Sequence, residues 1–315
     1  MRLALAGDTM LGRGVAEALA QASPLSLVTP EIAALMRAAD VTILNLECCI
    51  SERGSPIPLA GKPFFFRAPP RAVELLVHLG VDCVTLANNH ALDFGEIGLL
   101  DTFAHLESAG ITWVGAGPNL ERARSPVRLH AADENVVVIG FTDHPSAFAA
   151  QPDRPGVAYV DLEHGLADWV VQAVSEHDDC VLVTPHWGPN MERVPQPYVR
   201  SAAAELLKAE ASLVAGHSAH VVQGAERRVL YDLGDLLDDY RVDPVLRNDL
   251  GLLFLIDVDR GQPRRLEAVP LKLDYCQTRL AAGEDANWIS RRFRDACQVL
   301  GEEVTELDGR LVLTW

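Results

Sequence analysis

Six apolar runs of this chain each lead into residues that can hold a cation or move a proton. Residues 2–7 (RLALAG) are followed by Asp8, and residues 41–45 (VTILN) end in Asn45 and lead to Glu47. Residues 81–87 (VDCVTLA) run into Asn88, Asn89 and His90, and residues 136–141 (VVVIGF) into Asp143 and His144. Residues 180–184 (CVLVT) precede His186, and residues 212–216 (SLVAG) precede His217 and His220. Carboxylate oxygens, an amide carbonyl and neutral imidazoles suit a divalent cation of hard to intermediate character. Imidazoles also titrate near neutrality and serve as general acids and bases. One strand ending in a histidine is commonplace, so the inference rests on six such ends coinciding.

The elements that must position these residues are short strands alternating with helical spacing at residues 71–79, 97–109 and 162–175, which predicts an α/β fold. In open α/β sheets the carboxyl ends of the strands form one rim, and ligands bind there. Further on, VVQGAERRVLYDLG, LGLLFLIDVD and RRLEAVPLKLD read as strands joined by turns, which suggests a second sheet packed on the first. A helix over 285–300 and a last strand, RLVLTW, close the chain. The polar or Pro-rich stretches 51–63, 145–156 and 188–197 are expected as surface loops framing a pocket. No linker is evident, so residues 1–315 are read as one domain.

The formal charge of −17 opposes a nucleic-acid partner, and no basic stripe interleaves with aromatics. The N-terminal MRLALAGDTM has too brief an apolar run for a signal-peptide core, and nothing approaches the ~20 apolar residues of a membrane span. The six cysteines form no CxxC pair, which argues against a structural zinc site and for reduced, structural thiols. The expectation is a cytoplasmic protein with no membrane partner.

The segments GDTMLGR (7–13), NLE (45–47), ANNHALDFG (87–95), HWG (186–188), GHSAHV (216–221) and VLYDLGD (229–235) resemble the CapA (PGA_cap) family, which has the calcineurin-like metallophosphoesterase fold. The likeness runs from the first strand to about Val258, with residues 259–315 completing the domain. It implies an α/β sandwich of two β-sheets flanked by helices, with a metal site at the strand ends. It places Asp8, Glu47, Asn89, His186, His217 and His220 at ligand positions, His90 at the catalytic imidazole and Asp93 as the group orienting it. Ca²⁺ is the first expectation for the ion, with Mn²⁺ or Zn²⁺ as alternatives, since histidines favour those. Three departures put a two-metal centre in question. Asp8 is followed by Thr9 and Met10 where phosphoesterases of this fold usually have Asp-x-His; two residues separate His217 from His220 where one is usual; and Asp235 stands where CapA proteins often have Asn.

Several of these residues have simpler readings. Asp93 and Glu96 fit a capping box for a helix starting near Phe94, and Asn88 and Asn89 fit a turn. Arg13 either pairs with a carboxylate of the protein or binds a substrate anion. Trp187 is core or pocket wall. Asp143 and His144 are weaker candidates than the rest. The family includes intracellular epimerases of lasso-peptide pathways, and the reaction expected here is inversion of a Cα centre, near the C-terminus of a ribosomal precursor peptide. His90 with Asp93, and His220 with Asp8, would act as the acid/base pairs, with Arg13 and Trp187 against the peptide. The alternatives are a phosphoesterase or amide hydrolase of the poly-γ-glutamate type, and a non-catalytic binding protein.

Overall fold

In the computed structural model, which describes residues 1–131 and 134–315, all six runs are strands. They are β1 (Arg2–Thr9), β2 (Val41–Leu46), β3 (Cys83–Thr85), β4 (Glu134–Thr142), β5 (Cys180–His186) and β6 (Leu213–Ala215). Three more that matter below are β7 (Asp235–Leu237), β8 (Leu250–Asp259) and β9 (Gln262–Asp274). A ten-stranded sheet holds β1 near its middle, with β2 and then β3 in parallel on one side and β8 and then β9 antiparallel on the other. A six-stranded sheet is built around β4, β5 and β6, mutually parallel.

The alternation of side chains along a strand shows how the sheets stack. Leu3 and Leu5 of β1 join Val136 and Val138 of β4 in one buried cluster between the sheets, while Ala4 and Ala6 face a second cluster and Val137, Ile139 and Phe141 a third. Helices cover both outer clusters: α1 (Arg13–Gln21), α2 (Pro30–Arg37), α3 (Ala72–His78) and α4 (Gly95–Ser108) on the larger sheet, α5 (Asp168–Ser175) and α6 (Pro197–Lys208) on the smaller. Both faces of each central strand are therefore dry, which is why the strands read as continuous apolar runs. This is the two-sheet sandwich flanked by helices that the motifs imply. The closing helix, α7 (Gly283–Val299), inserts Ile289, Phe293 and Cys297 into the inter-sheet cluster.

Two local expectations are corrected. The late strands β8 and β9 do not form the second sheet; β8 takes the free edge of β1, with Leu3 opposite Ile256 and Leu5 opposite Phe254, and extends the first sheet. The helical spacing over 162–175 is split, because Gly165 adopts φ 93° after a short 3-10 turn, and α5 starts only at Asp168. All six cysteines are buried and unpaired, and no helix among the described residues is long and apolar enough to cross a membrane.

Candidate metal centre

Strand register sets the first carboxylate. Asp8 lies opposite Asn45 on β2 and opposite Asp235 on β7, and its backbone N–H donates to Gly234 O at 2.8 Å. That approach requires glycine at position 7, where a Cβ would fall 1.9 Å from Gly234 O. The Asn45 amide donates to Asp8 Oδ1 (2.7 Å), and the Asn88 amide donates to Asn45 Oδ1 (2.9 Å) and Leu46 O (2.9 Å). The His90 backbone N–H donates to Asn88 Oδ1 (3.0 Å), so Asn88 ties the ends of β2 and β3 together. Asn89, its neighbour, has a buried Oδ1 with no hydrogen bond.

The second sheet brings the imidazoles. His186 and His217 are bridged through their backbones at the ends of β5 and β6. His217 Nε2 lies 3.1 Å from Thr184 Oγ1, which leaves Nδ1 facing Asp8 Oδ1 at 3.0 Å. Ser218 and His220 hold φ of 112° and 56°, left-handed values that cost non-glycine residues free energy and that cluster at functional sites. The Nε2 atoms of His90, His186 and His220 stand 3.8, 3.7 and 3.8 Å from Glu47 Oε1. These spacings exceed hydrogen bonds, and that of His186 suits a ligand sharing an ion with Glu47. Asp8, Glu47 and His186 offer ligand atoms within 4.8 Å of one another, as do Asp8, His220 and Asp235.

The donor set fits a divalent cation. Glu47 Oε1, Asn89 Oδ1, both ring nitrogens of His186 and Asp235 Oδ2 are all buried without a hydrogen bond. Each such atom left unpaired costs about 1–3 kcal/mol, and an ion would satisfy several together. Burial drives the Glu47 carboxyl well above its usual range despite His220, and it does the same to Asp235, with Asp238 and Asp8 adding repulsion. Burial also opposes ionisation of Asp8, yet the hydrogen bond and charge of His217 hold it below the ordinary range. His186 is pushed well down by burial and then by His144, while His220 rises because Glu47 and Asp8 outweigh its burial. A pocket this rich in crowded carboxylates favours added positive charge.

Beside this cluster sits a His–Asp pair. His90 Nδ1 lies 2.6 Å from Asp93 Oδ2, which also accepts from the Phe66 backbone N–H at 2.6 Å. The Lys62 ammonium reaches Asp93 Oδ1 (3.0 Å), the Asn89 carbonyl (2.7 Å) and His90 Nδ1 (3.2 Å). Phe66 stacks on the imidazole with ring centroids 3.9 Å apart. Burial raises Asp93 to about 7 against the pull of Lys62, and burial with the charge of Lys62 lowers His90 well below its ordinary value. Both effects favour the neutral form of the His90 imidazole. Its Nδ1–H is assigned to Asp93, which leaves Nε2 as the acceptor facing Glu47.

The profile of the bacterial capsule synthesis protein PGA_cap matches residues 2–240. The chain belongs to the CapA (PGA_cap) family. A probable polyglutamine synthesis accessory protein of Mycobacterium tuberculosis is 34% identical over 282 residues, covering 81% of this chain and 74% of the relative. The PGA biosynthesis protein CapA of Bacillus subtilis is 27% identical over 239 residues, covering 74% and 62% respectively. Among solved structures, a hypothetical protein from Thermus thermophilus superposes with a TM-score of 0.52 at 17% identity, over 86% of this chain and 99% of that one.

Within this CapA-family frame, the structure brings Asp8, Glu47, Asn89, His186, His217 and His220 together, with His90 and Asp93 beside them. Asp93 does not cap α4, whose N-terminus at Phe94 has no side-chain hydrogen bond. Arg13 is engaged by a protein carboxylate: Nε and Nη2 grip Asp239 Oδ2 and Oδ1 at 3.1 and 2.9 Å, and the guanidinium lies over Phe64 and Phe66. Trp187, expected against the substrate, is 2% exposed in the core beneath the smaller sheet, its indole N–H donating to Tyr231 O. Asp143 and His144 pair with each other at the rim, and the His144 ring lies 5.2 Å from that of His186.

Lys62, Phe66 and Tyr240 were not foreseen. Tyr240 donates to Glu47 Oε2 at 3.2 Å and meets His220 edge-on. Lys62 and Phe66 come from a segment whose only cue is three consecutive phenylalanines, 64–66, at the end of an otherwise polar loop.

Proposed function

We propose that this chain is a metal-dependent hydrolase of an amide or ester linkage, with a glutamyl peptide or polymer as the first substrate class to try. The observation that carries this reading is the position of His90 Nε2, which faces Glu47 Oε1 at 3.8 Å while its other nitrogen is held by Asp93. His90 thereby meets the cluster with its other nitrogen already fixed, whereas neither ring nitrogen of His186 has a hydrogen bond and both are free for an ion. The names of the Mycobacterium and Bacillus relatives motivate the substrate class.

Asp8, Glu47, Asn89, His186 and His217 would hold the cation, and three imidazoles nearby favour Mn²⁺ or Zn²⁺ over Ca²⁺, which prefers oxygen ligands. Bound there, the ion supplies Lewis-acid polarisation and lowers the pKa of water. His90 Nε2 accepts a proton from the attacking water and returns it to the leaving group. Asp93 fixes the tautomer, Lys62 fixes Asp93, and the Phe66 ring shields one face of the imidazole from water. A positioned base of this kind contributes roughly 10²- to 10⁴-fold.

Inversion of a peptide Cα is the second reading, and one observation favours it. The Asp143–His144 pair at the rim is a second imidazole–carboxylate unit, and Asp143 is itself fixed by the Gly188 backbone N–H (3.0 Å) and Tyr198 hydroxyl (3.4 Å). His220, the partner expected from sequence, is less suited, because it is buried between Asp8 and Asp235.

The test is incubation with Mn²⁺ or Zn²⁺ and poly-γ-glutamate, short γ-glutamyl peptides or aryl phosphates in D₂O, followed by mass spectrometry. Fragments or released phosphate support hydrolysis, whereas one deuteron entering an intact peptide supports inversion. No change in any substrate with any metal would sink both.

A further inference from the structure

We infer that the cavity enclosed by α7, the loop 188–197 and the first turn of α6 binds a nucleoside diphosphate, at a site separate from the metal centre. The cavity measures about 630 Å³, within the range of small-molecule sites. Its wall carries four arginines, Arg193, Arg200, Arg291 and Arg292, beside Trp288, and Asp295 is the one carboxylate among the described residues lining it. The chain as a whole has 44 acidic and 27 basic side chains, so this wall reverses the overall charge. None of the described residues lining it belongs to the metal centre. The helix that supplies two of the arginines lies beyond the residues 2–240 that the family profile matches.

Helical spacing builds the cationic face. Trp288, Arg291, Arg292, Asp295 and Val299 recur at three and four residues along one stripe of α7, while Ile289, Phe293 and Cys297 turn into the core. The helix comes close because residue 224 is glycine, where a Cβ would fall 2.7 Å from the Ala296 carbonyl carbon. The charges on this face are unmatched. Arg200 pairs with Glu226 at 3.0 Å, but Arg193 and Arg292 donate to backbone carbonyls, Val245 O (3.0 Å) and Val222 O (3.3 Å). Among the described residues no carboxylate pairs with Arg193, Arg291 or Arg292. Burial, and then the charge of Arg193, pulls Arg292 down to about 10, a cost that a bound anion would offset. Guanidinium forks reaching in from a loop and a helix suit tetrahedral phosphoryl groups, whose oxygens point several ways, better than a planar carboxylate. The organic part is set by Trp288, whose ring centre lies 5.7 Å from the Arg292 guanidinium carbon. Val194 and Val299, 59% and 81% exposed, add apolar surface at the same wall. Aromatic and apolar groups next to unmatched cations are what a nucleobase linked to a diphosphate requires.

The experiment is calorimetric titration of the full chain with α,β-methylene-ADP, whose diphosphate resists hydrolysis, and with inorganic pyrophosphate. The nucleotide analogue should saturate a single site. Arg292→Gln should weaken it roughly tenfold or more, the worth of one charge-assisted hydrogen bond. Should Arg292→Gln fail to unfold cooperatively, Arg291→Gln, at an exposed position, carries the comparison with the same expected loss. Trp288→Leu should weaken the nucleotide analogue by roughly tenfold, as lost base stacking would, and leave pyrophosphate unchanged. EDTA, which empties the metal centre, should leave the nucleotide affinity as it was. Absence of saturable binding, an affinity unchanged by the arginine substitutions, or binding abolished by EDTA would overturn the inference. So would pyrophosphate binding as tightly as the nucleotide analogue, because Trp288 would then contribute nothing. The outcome is independent of the reaction at the metal centre, since the readout is binding at other residues.

Discussion

Replacing Lys62 by Met should expose how the His90 imidazole is held. The Lys62 side chain is only 9% exposed, and its ammonium contacts Asp93 Oδ1, the Asn89 carbonyl and His90 Nδ1. Methionine keeps the straight chain and removes the charge. Breaking one partner out of a buried ion pair costs about 3–5 kcal/mol, but here the penalty depends on pH. Asp93 is raised in the folded protein from 3.8 to about 7, so the folded state binds that proton more tightly than the unfolded chain. Wild-type stability from this group is therefore greatest at low pH, falls as pH rises through that window, and levels off above 7. Without Lys62 the carboxyl climbs further, and the decline continues above pH 7 at up to about 1.4 kcal/mol per pH unit. Urea unfolding at pH 5.5 and 8 should show a variant that loses little at the lower pH, where a neutral Asp93 needs no counter-charge, and several-fold more at the higher. Adding Asp93→Asn to Lys62→Met should recover most of the loss at pH 8. An equal cost at both pH values, or no recovery in the double variant, would refute the reasoning.

His90→Gln should lower turnover on whichever substrate is found by roughly 10²- to 10⁴-fold while leaving Mn²⁺ affinity within about threefold, as read by calorimetry. Because burial and mutual repulsion keep Glu47 and Asp235 protonated well above their ordinary range, metal binding should release protons. Affinity should therefore weaken as pH falls, and the apparent binding enthalpy should differ between buffers of unlike ionisation heat. Chelation should lower the thermal midpoint, since an ion at 100 times its Kd adds about 2.7 kcal/mol to the folded state. Trp187→Ala should destabilise by about 3–5 kcal/mol, with a substrate KM close to that of the wild type, as expected of a core residue.

The strand ends that converge on the candidate site could be read from sequence because buried parallel strands announce themselves as apolar runs, and polar residues directly after them have few structural excuses. That logic points to Asp8, Glu47, Asn89, His186 and His217. It fails where position depends on pairing between distant segments. Nothing local tells that β8 will take the free edge of β1, and so the makeup of the second sheet is not legible in the sequence. Arg13 is readable only as a cation near the first motif; its partner Asp239 is 226 residues away. Lys62 escapes notice because a single lysine in a loop looks like solvent-facing charge until Asp93 folds over it. Trp187 next to His186 illustrates the strand rule itself: neighbours in a chain face opposite ways, so an imidazole at the centre implies an indole turned away from it.

The two sheets contribute separately to the centre: Asp8, Glu47 and Asn89 project from one, His186 and His217 from the other. Any ion held by both sets would act as a rivet through the seam of the sandwich. Sliding of one sheet over the other by even a fraction of an ångström would then register as a change in coordination. Substitutions deep in the seam, at Val138 or Phe254, can in this way retune the chemistry without touching it.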